Sequence, residues 1–167
     1  LDAVQVLRAV VQAQGEYAAL MRQASGAPAY ARRFTSTPGQ RDGLYWETAE
    51  GEAESPLGPL AAAASADGYR TAARGRPQPY HGYFFRILEA QGPSAQGGAQ
   101  DYVADGRMSG GFAVIAWPAR YGNSGIMTFM VNHQGVVYQA NLGPNTEMLA
   151  RRIRVFEPGE GWTRVAP

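Results

Sequence analysis

The side chains able to perform catalytic or metal chemistry are few and scattered along the sequence. The chain has two histidines, His81 and His133, and no cysteine. The lack of cysteine excludes disulfides, thiolate catalysis and cysteine-ligated zinc or iron–sulfur centres. The two histidines also lack the H-x-x-x-H or H-E-x-x-H spacing of zinc-binding helices. The sequence therefore predicts no metal ligands, and both histidines are interpreted as turn or core residues.

The serines and glycines do not form a recognisable catalytic or cofactor motif. Neither the SGG sequence at Ser109 nor the GNSG sequence at Ser124 has the five-residue frame of a nucleophile elbow. No glycine-rich segment matches a dinucleotide-binding fingerprint or a P-loop. We therefore predict no catalytic residue and no cofactor, and expect a non-enzymatic role.

The carboxylates leave one enzymatic alternative open. Asp101 and Asp105 lie within one predicted hairpin and are explained by turn chemistry. Four glutamates lie together in the irregular region before the sheet; they are Glu47, Glu50, Glu52 and Glu54. They favour a solvated loop, since their spacing lacks the alternation and glycine of an EF-hand calcium loop. A hydrolase with dispersed carboxylates remains an alternative, and it requires two of them in one pocket.

Three residues are candidates for contact with a ligand or partner. Trp46 lies in a long loop region, and Tyr121 and Asn123 lie in the connection ARYGNSG. Exposed Trp and Tyr side chains stack on sugars or meet protein partners, which suggests a glycan- or peptidoglycan-binding module. The alternative for Trp46 is that it holds the loop against the core.

The overall charge argues against nucleic acid as a partner. The formal net charge is +1, and all 15 basic residues are arginine. Arginine retained for bidentate anion binding would have to cluster, and only 32–33 and 151–154 do so. No apolar run approaches the roughly 18 residues of a membrane span.

The N-terminal segment that must support any site is a predicted helix. Residues 1–25 carry apolar side chains at three- and four-residue spacing, as in an amphipathic helix. Asp2 and Gln5 have the spacing of a capping box, and Gly26 suits the helix stop. We expect this helical spine to lie across a sheet.

Residues 26–79 are punctuated by Gly and Pro, which predicts a mostly irregular region that wraps around the domain. One short helix is predicted within it, with Ser55 as its cap, Pro56 at the first position and residues 60–65 as its body. So long a loop region is often functional.

Residues 80–142 are predicted to form an antiparallel sheet of four or more strands. Residues 80–90 are apolar on both faces, which favours an inner strand covered on two sides. Asp105-Gly106 is typical of a type I′ hairpin turn. Three apolar runs between residues 110 and 142 then predict a meander, the first strand ending at Pro118.

The C-terminal residues 143–167 predict a short helix, with Thr146 as a possible cap, followed by a tail that adds an edge strand. Together these elements predict one α+β domain, in which the long N-terminal helix packs on the antiparallel meander.

Several segments resemble a bacterial family known as domain of unknown function 2950. They include LRAVVQAQGEYA, PYHGYFFRILEAQG and GGFAVIAWPARYGNSGIMTFMVNHQGVVYQANLGPNT. Members of that family carry an export leader ahead of this region, so the resemblance implies a periplasmic or cell-surface location. The family has no established activity, and no residue inherits a role.

A weaker resemblance is to the head domains of type IV pilins and type II secretion pseudopilins. It rests on LRAVVQAQGEY, GYFFRIL and FMVNHQGVVY. This resemblance implies a pilin-like fold, although the chain lacks the hydrophobic anchor half-helix. The leading hypothesis is an exported structural or protein-interaction module whose partner is another envelope protein or a glycan.

Overall fold

The computed structural model describes residues 2–57 and 79–167. Helix α1 (Ala3–Ser25) comes first and is followed by a series of strands and a second helix. The strands are β1 (Tyr83–Leu88), β2 (Ala90–Gln91), β3 (Gln100–Asp101), β4 (Val103–Ala104), β5 (Arg107–Met108), β6 (Ala113–Pro118), β7 (Thr128–Asn132), β8 (Val137–Ala140) and β9 (Thr163–Arg164). Helix α2 (Thr146–Arg152) lies between β8 and β9. The predicted α+β class is confirmed.

Helix α1 begins and ends as its sequence predicts. The Asp2 side chain accepts a hydrogen bond from the Gln5 amide, and the Gln5 side chain accepts one from the Asp2 amide. This capping box satisfies amides that lack a partner within the helix. Gly26 ends the helix in the left-handed region at φ 81° and donates to the Arg22 carbonyl, as glycine does after many helices.

The main sheet has five antiparallel strands in the order β1-β6-β7-β8-β9. Because β6, β7 and β8 are neighbours in both sequence and space, the predicted meander is confirmed. Every residue of β6 is buried, so the core extends over both faces of this strand. The tail contributes β9 as the predicted edge strand.

The two helices of the described residues cover opposite faces of the sheet. Arg86 donates to the carbonyls of Ala150 and Ile153 at the end of α2, so α2 lies on the face that carries Arg86. Helix α1 contacts β6 and β7. The residue Ala113 lies on the same face as Arg86, so the preceding residue, Phe112, lies on the opposite face. Tyr30, in the segment hydrogen-bonded to α1, packs against Phe112. Since β6 is buried on both sides, we assign α1 to the face opposite α2.

The prediction that residues 80–90 form an inner strand is wrong. Among the described residues, strand β1 pairs only with β6 and forms an edge of the sheet. The residues just before the strand are not extended, because His81 and Gly82 have positive φ angles of 50° and 81°. They form a tight turn in which the Tyr80 amide donates to the Tyr83 carbonyl. Apolar residues on both faces reflect the covering layers and do not fix a strand's place in its sheet.

The segment 26–57 has no helix or strand of its own. An isolated bridge between Tyr30 and Met108 attaches it to β5, and a second bridge, between Thr35 and Tyr45, lies within the segment. The side chain of Gln14 on α1 forms two hydrogen bonds with the backbone of Ala31. The body of the short helix predicted after Ser55 lies outside the described residues.

Two smaller predictions have mixed outcomes. Asp105 and Gly106 have φ angles of 53° and 77°, and the type I′ turn between β4 and β5 is confirmed. Thr146 is the first residue of α2 instead of its cap, which is Asn145. The Thr146 hydroxyl donates a hydrogen bond to the Gly143 carbonyl at 2.6 Å.

In the part of the chain that the structure describes, no helix is long and apolar enough to span a membrane.

Candidate functional site

The connection between β6 and β7, residues 119–127, forms a rigid loop at one end of the sheet. Its backbone is closed by a hydrogen bond from the Gly122 amide to the Gly125 carbonyl. The amides of Asn123 and Ser124 both donate to the Arg120 carbonyl, and the Ser124 hydroxyl accepts from the Arg120 amide at 3.0 Å. These bonds fix the direction in which the loop presents its side chains.

Close packing against the start of β1 holds this loop in place. A Cβ atom added at Gly125 would lie 2.3 Å from the Tyr83 hydroxyl oxygen, and one added at Gly82 would lie 2.8 Å from Ser124 Cβ. Only glycine permits these approaches. The Tyr83 hydroxyl donates to the Met127 carbonyl at 2.9 Å, and burial raises the pKa of this hydroxyl. The loop is therefore anchored to β1 at both of its ends.

Two of the predicted contact residues, Tyr121 and Asn123, lie together in this loop. The Tyr121 hydroxyl donates to Asn141 Oδ1 at 2.8 Å, which fixes the half-buried ring relative to the end of β8. Asn123 is exposed at the loop tip. Ile126 follows them and is 45% exposed. We call the exposed side chains of Arg120, Asn123 and Ile126, together with the ring of Tyr121, the loop surface.

Trp46 does not belong to this surface, and the expectation that its ring is exposed is wrong. Its side chain is 9% exposed and belongs to the core with Leu44 and Leu57. The Arg41 guanidinium lies 5.2 Å from the ring centroid. Trp46 therefore holds its segment against the core, which is the alternative that the sequence left open. No hydrogen bond or ring contact between described residues joins it to Tyr121.

The histidines occupy separate structural positions. His133 lies in the turn after β7, where its ring contacts Tyr102 and Phe112 and its Nδ1 accepts a hydrogen bond from the Phe112 amide. His81 is exposed beside the Tyr80 ring. Within residues 2–57 and 79–167, no three His, Asp or Glu side chains are grouped so that they could hold a metal ion.

Among the described carboxylates, a shifted pKa is found for Asp42. Desolvation raises the pKa of Asp42, but hydrogen bonds from Thr37 and the nearby Arg33 guanidinium together outweigh it and lower the pKa below its usual value. Four glutamates of the 26–57 segment are exposed; they are Glu47, Glu50, Glu52 and Glu54.

A buried polar cluster escaped the sequence analysis. The Tyr102 hydroxyl donates to Gln91 Oε1 at 2.7 Å, and the Gln91 amide donates to the carbonyls of Gln96 and Gly98. Asn132 completes the cluster at 3.5 Å from Gln91 Oε1. Burial raises the pKa of the Tyr102 hydroxyl, and a hydrogen bond with Asn132 opposes this. The cluster organises the loop after β2. No sequence signal distinguished Gln91 from other loop residues.

Comparison with known proteins identifies a family but no close relative. No curated protein and no solved structure is significantly similar to this chain. A family model matches residues 1–165, which is nearly the whole sequence. The chain therefore belongs to the family described as protein of unknown function (DUF2950).

Proposed function

We propose that this protein is an exported interaction module of the bacterial cell envelope that binds a partner protein through the loop surface. The observation that carries the proposal is the rigid presentation of Ile126 and Asn123 by a loop hydrogen-bonded within itself and packed on Tyr83. A surface ordered before binding loses less conformational entropy on association.

The composition of the loop surface suits a protein partner. Ile126 is one of the large apolar side chains exposed on the described part of the protein, and the exposed Arg120 and Asn123 precede it in sequence. An apolar centre with a polar rim is the usual anatomy of protein interfaces, in which Tyr and Arg are enriched. The partner should therefore offer an apolar pocket ringed by hydrogen-bonding groups.

A photo-crosslinking experiment tests the binding site. A photoreactive amino acid is placed at Ile126 or at Asn123 in the full-length protein, in cells. The control position is Leu20 on α1, which is also exposed. We expect a discrete crosslinked product from the loop positions and none from Leu20.

A second variant separates specific capture from accidental contact. Ile126→Asp places a charge on the exposed apolar centre and should abolish crosslinking from position 123 without lowering the melting temperature. A product of twice the monomer mass would identify the partner as a second copy, as in a pilin-like assembly. Equal crosslinking from Leu20, or no effect of Ile126→Asp, would contradict the proposed surface.

The proposed location rests on the resemblance to exported family members and is tested separately. Fractionation of cells that express the tagged full-length protein should place it in the periplasm or at the cell surface. Recovery with the cytoplasmic fraction would contradict this part of the proposal while leaving the loop surface open to the crosslinking test.

A glycan is the second candidate ligand, and Tyr121 is the observation that favours it. The hydrogen bond to Asn141 holds the half-exposed Tyr121 ring in one orientation, and a fixed aromatic ring is suited to stacking on a sugar. Tyr121→Ala should then reduce cosedimentation with purified peptidoglycan, whereas Tyr45→Ala serves as a control at another half-buried tyrosine. Equal cosedimentation of both variants with the native protein would exclude this candidate.

A further inference from the structure

Three buried hydrogen-bond donors without protein partners lie on the sheet face covered by α2. They are Arg86 Nε, Trp117 Nε1 and Thr128 Oγ1, and none has an acceptor in the part of the chain that the structure describes. Trp117 is 4% exposed and Thr128 is fully buried. A buried donor without an acceptor costs about 1–3 kcal/mol, so three on one face call for an explanation.

The strand register places the three residues that carry these donors on one face of the sheet, with Trp117 between Arg86 and Thr128. Phe84 pairs with Trp117 across β1 and β6. Ala116 pairs with Phe129 across β6 and β7, and the next step of that register brings Trp117 beside Thr128. Arg86 lies two residues after Phe84 on the same face, and its Cζ is 5.8 Å from the centroid of the Trp117 ring.

The same place carries an excess of positive charge. The Arg151 guanidinium on α2 lies 5.9 Å from the centroid of the Phe84 ring, and Glu147 pairs with it at 3.1 Å. Arg154 is exposed and forms no ion pair with any described residue. Arg86 donates through Nη2 to the Ala150 and Ile153 carbonyls and likewise has no carboxylate partner among the described residues.

The arginines repel one another at this site. Desolvation lowers the pKa of Arg86, and the nearby charges of Arg154 and then Arg151 lower it further. The Arg86 hydrogen bonds to the end of α2 explain why its side chain is held under the helix, since cations favour helix C-termini. They do not explain the unpartnered Nε.

We propose that this face binds a phosphate-type oxyanion, with Arg86 and Trp117 as inner donors and Arg151 and Arg154 as outer charges. The polar atoms left without partners there are nitrogen donors and one hydroxyl, which match the acceptor oxygens of such an anion. Arginine is the side chain best suited to phosphate because its planar group donates two parallel hydrogen bonds. The excess of guanidinium groups over the one carboxylate of Glu147 favours a dianion.

The indole N–H of Trp117, one of the two inner donors, provides a direct test of phosphate binding. Inorganic phosphate is titrated into the labelled full-length protein at constant ionic strength, with chloride as the replaced anion. The indole N–H resonances are followed by NMR, and Trp117→Phe assigns the signal of Trp117. We expect this signal to shift and saturate, while the indole signal of Trp162 does not follow the same curve. A linear shift shared by all the indole signals would overturn the proposal.

Matched arginine variants test the outer charges. Arg154→Gln and Arg152→Gln remove the same charge from neighbouring exposed positions, but of these two arginines only Arg154 lowers the pKa of Arg86. We expect Arg154→Gln to weaken phosphate binding about tenfold, as for loss of a charge-assisted hydrogen bond, and Arg152→Gln to weaken it far less. Equal weakening by the two variants would mean that net charge alone attracts phosphate, which overturns a specific site.

A final experiment distinguishes a lipid headgroup from a soluble compound as the source of the phosphate group. Vesicles that contain phosphatidic acid, a phosphomonoester, and vesicles of phosphatidylcholine alone are added to the phosphate-loaded protein. Displacement by the phosphatidic acid vesicles alone would identify a lipid headgroup as the source, and no displacement would identify a soluble phosphate compound. Acetate that shifts the Trp117 signal as strongly as phosphate would overturn the preference for a dianion.

Discussion

At the scale of single residues, two buried threonines differ in whether their hydroxyl groups have partners. Thr128 and Thr146 are both fully buried. The Thr146 hydroxyl donates to the Gly143 carbonyl, whereas the Thr128 hydroxyl has no partner among the described residues. Burial of an unsatisfied hydroxyl opposes folding, and a satisfied one contributes a modest net stabilisation.

Replacement of each threonine by valine should therefore change stability in opposite directions. In phosphate-free buffer, we expect Thr128→Val to raise the free energy of unfolding by about 0.5–1.5 kcal/mol and Thr146→Val to lower it by about 1 kcal/mol. Chemical denaturation measures both changes. A loss of stability in Thr128→Val would indicate that its hydroxyl is satisfied in solution and is not one of the buried donors without a partner.

Gln14 illustrates the opposite situation, a buried amide with both of its functions satisfied. It is fully buried on α1, where its Nε2 donates to the Ala31 carbonyl and its Oε1 accepts from the Ala31 amide. Gln14→Ala leaves both backbone groups without these partners. At about 1–3 kcal/mol for each unsatisfied group, we expect a loss of about 2–4 kcal/mol in the free energy of unfolding.

The matched control for Gln14 is Gln12→Ala, which removes the same side chain from an exposed position of the same helix. Its free energy of unfolding should change by less than about 0.5 kcal/mol, as for most surface substitutions. Similar losses in the two variants would mean that Gln14 does not hold the 26–57 segment to α1.

At the scale of elements, helix α1 has one glycine within it and a second at its C-terminal cap, and the two differ in backbone conformation. Gly15 lies within the helix, and Gly26 ends it at φ 81°. A Cβ atom added at either residue would meet nothing within 4 Å. Space is thus equal at the two positions, and conformation alone should decide the effect of alanine.

We expect Gly15→Ala to stabilise the protein by about 0.5–1 kcal/mol, because alanine loses less backbone entropy in a helix. Gly26→Ala should destabilise it by about 1 kcal/mol, because the left-handed conformation is unfavourable for a residue with a Cβ atom. Thermal melts of the two variants, compared with the native chain, measure the difference. Equal shifts in melting temperature would contradict the assigned cap.

At the scale of the whole molecule, the sequence predicted the parts that depend on local chemistry. The capping box at Asp2, the turn at Asp105 and the strand end at Pro118 follow from neighbours in sequence, and all are found. The edge position of β1 and the burial of Trp46 depend on which segments meet in space. The donors Arg86 and Trp117 likewise become neighbours only through the register of β1 with β6, which no spacing in the sequence encodes.

The same sheet order makes a prediction about stability across the molecule. Strand β6 lies between β1 and β7 and is buried on both faces, so its amides should open only when the whole domain unfolds. The Ala119 amide donates to the Gly82 carbonyl, and antiparallel alternation then directs the amides of Phe84 and Arg86 toward β6. The amides of Phe85 and Ile87 point away from the sheet, where no described residue pairs with them.

Native-state hydrogen exchange should therefore show two patterns. The amides of Val114 and Ile115 in β6 should be among the slowest to exchange. Along β1, protection should alternate, with Phe84 and Arg86 slow and Phe85 and Ile87 faster by orders of magnitude, because an outward amide exchanges without breaking a ladder bond. Uniform protection along β1 would mean that another strand pairs with this edge in solution, and the sheet would then extend beyond β1.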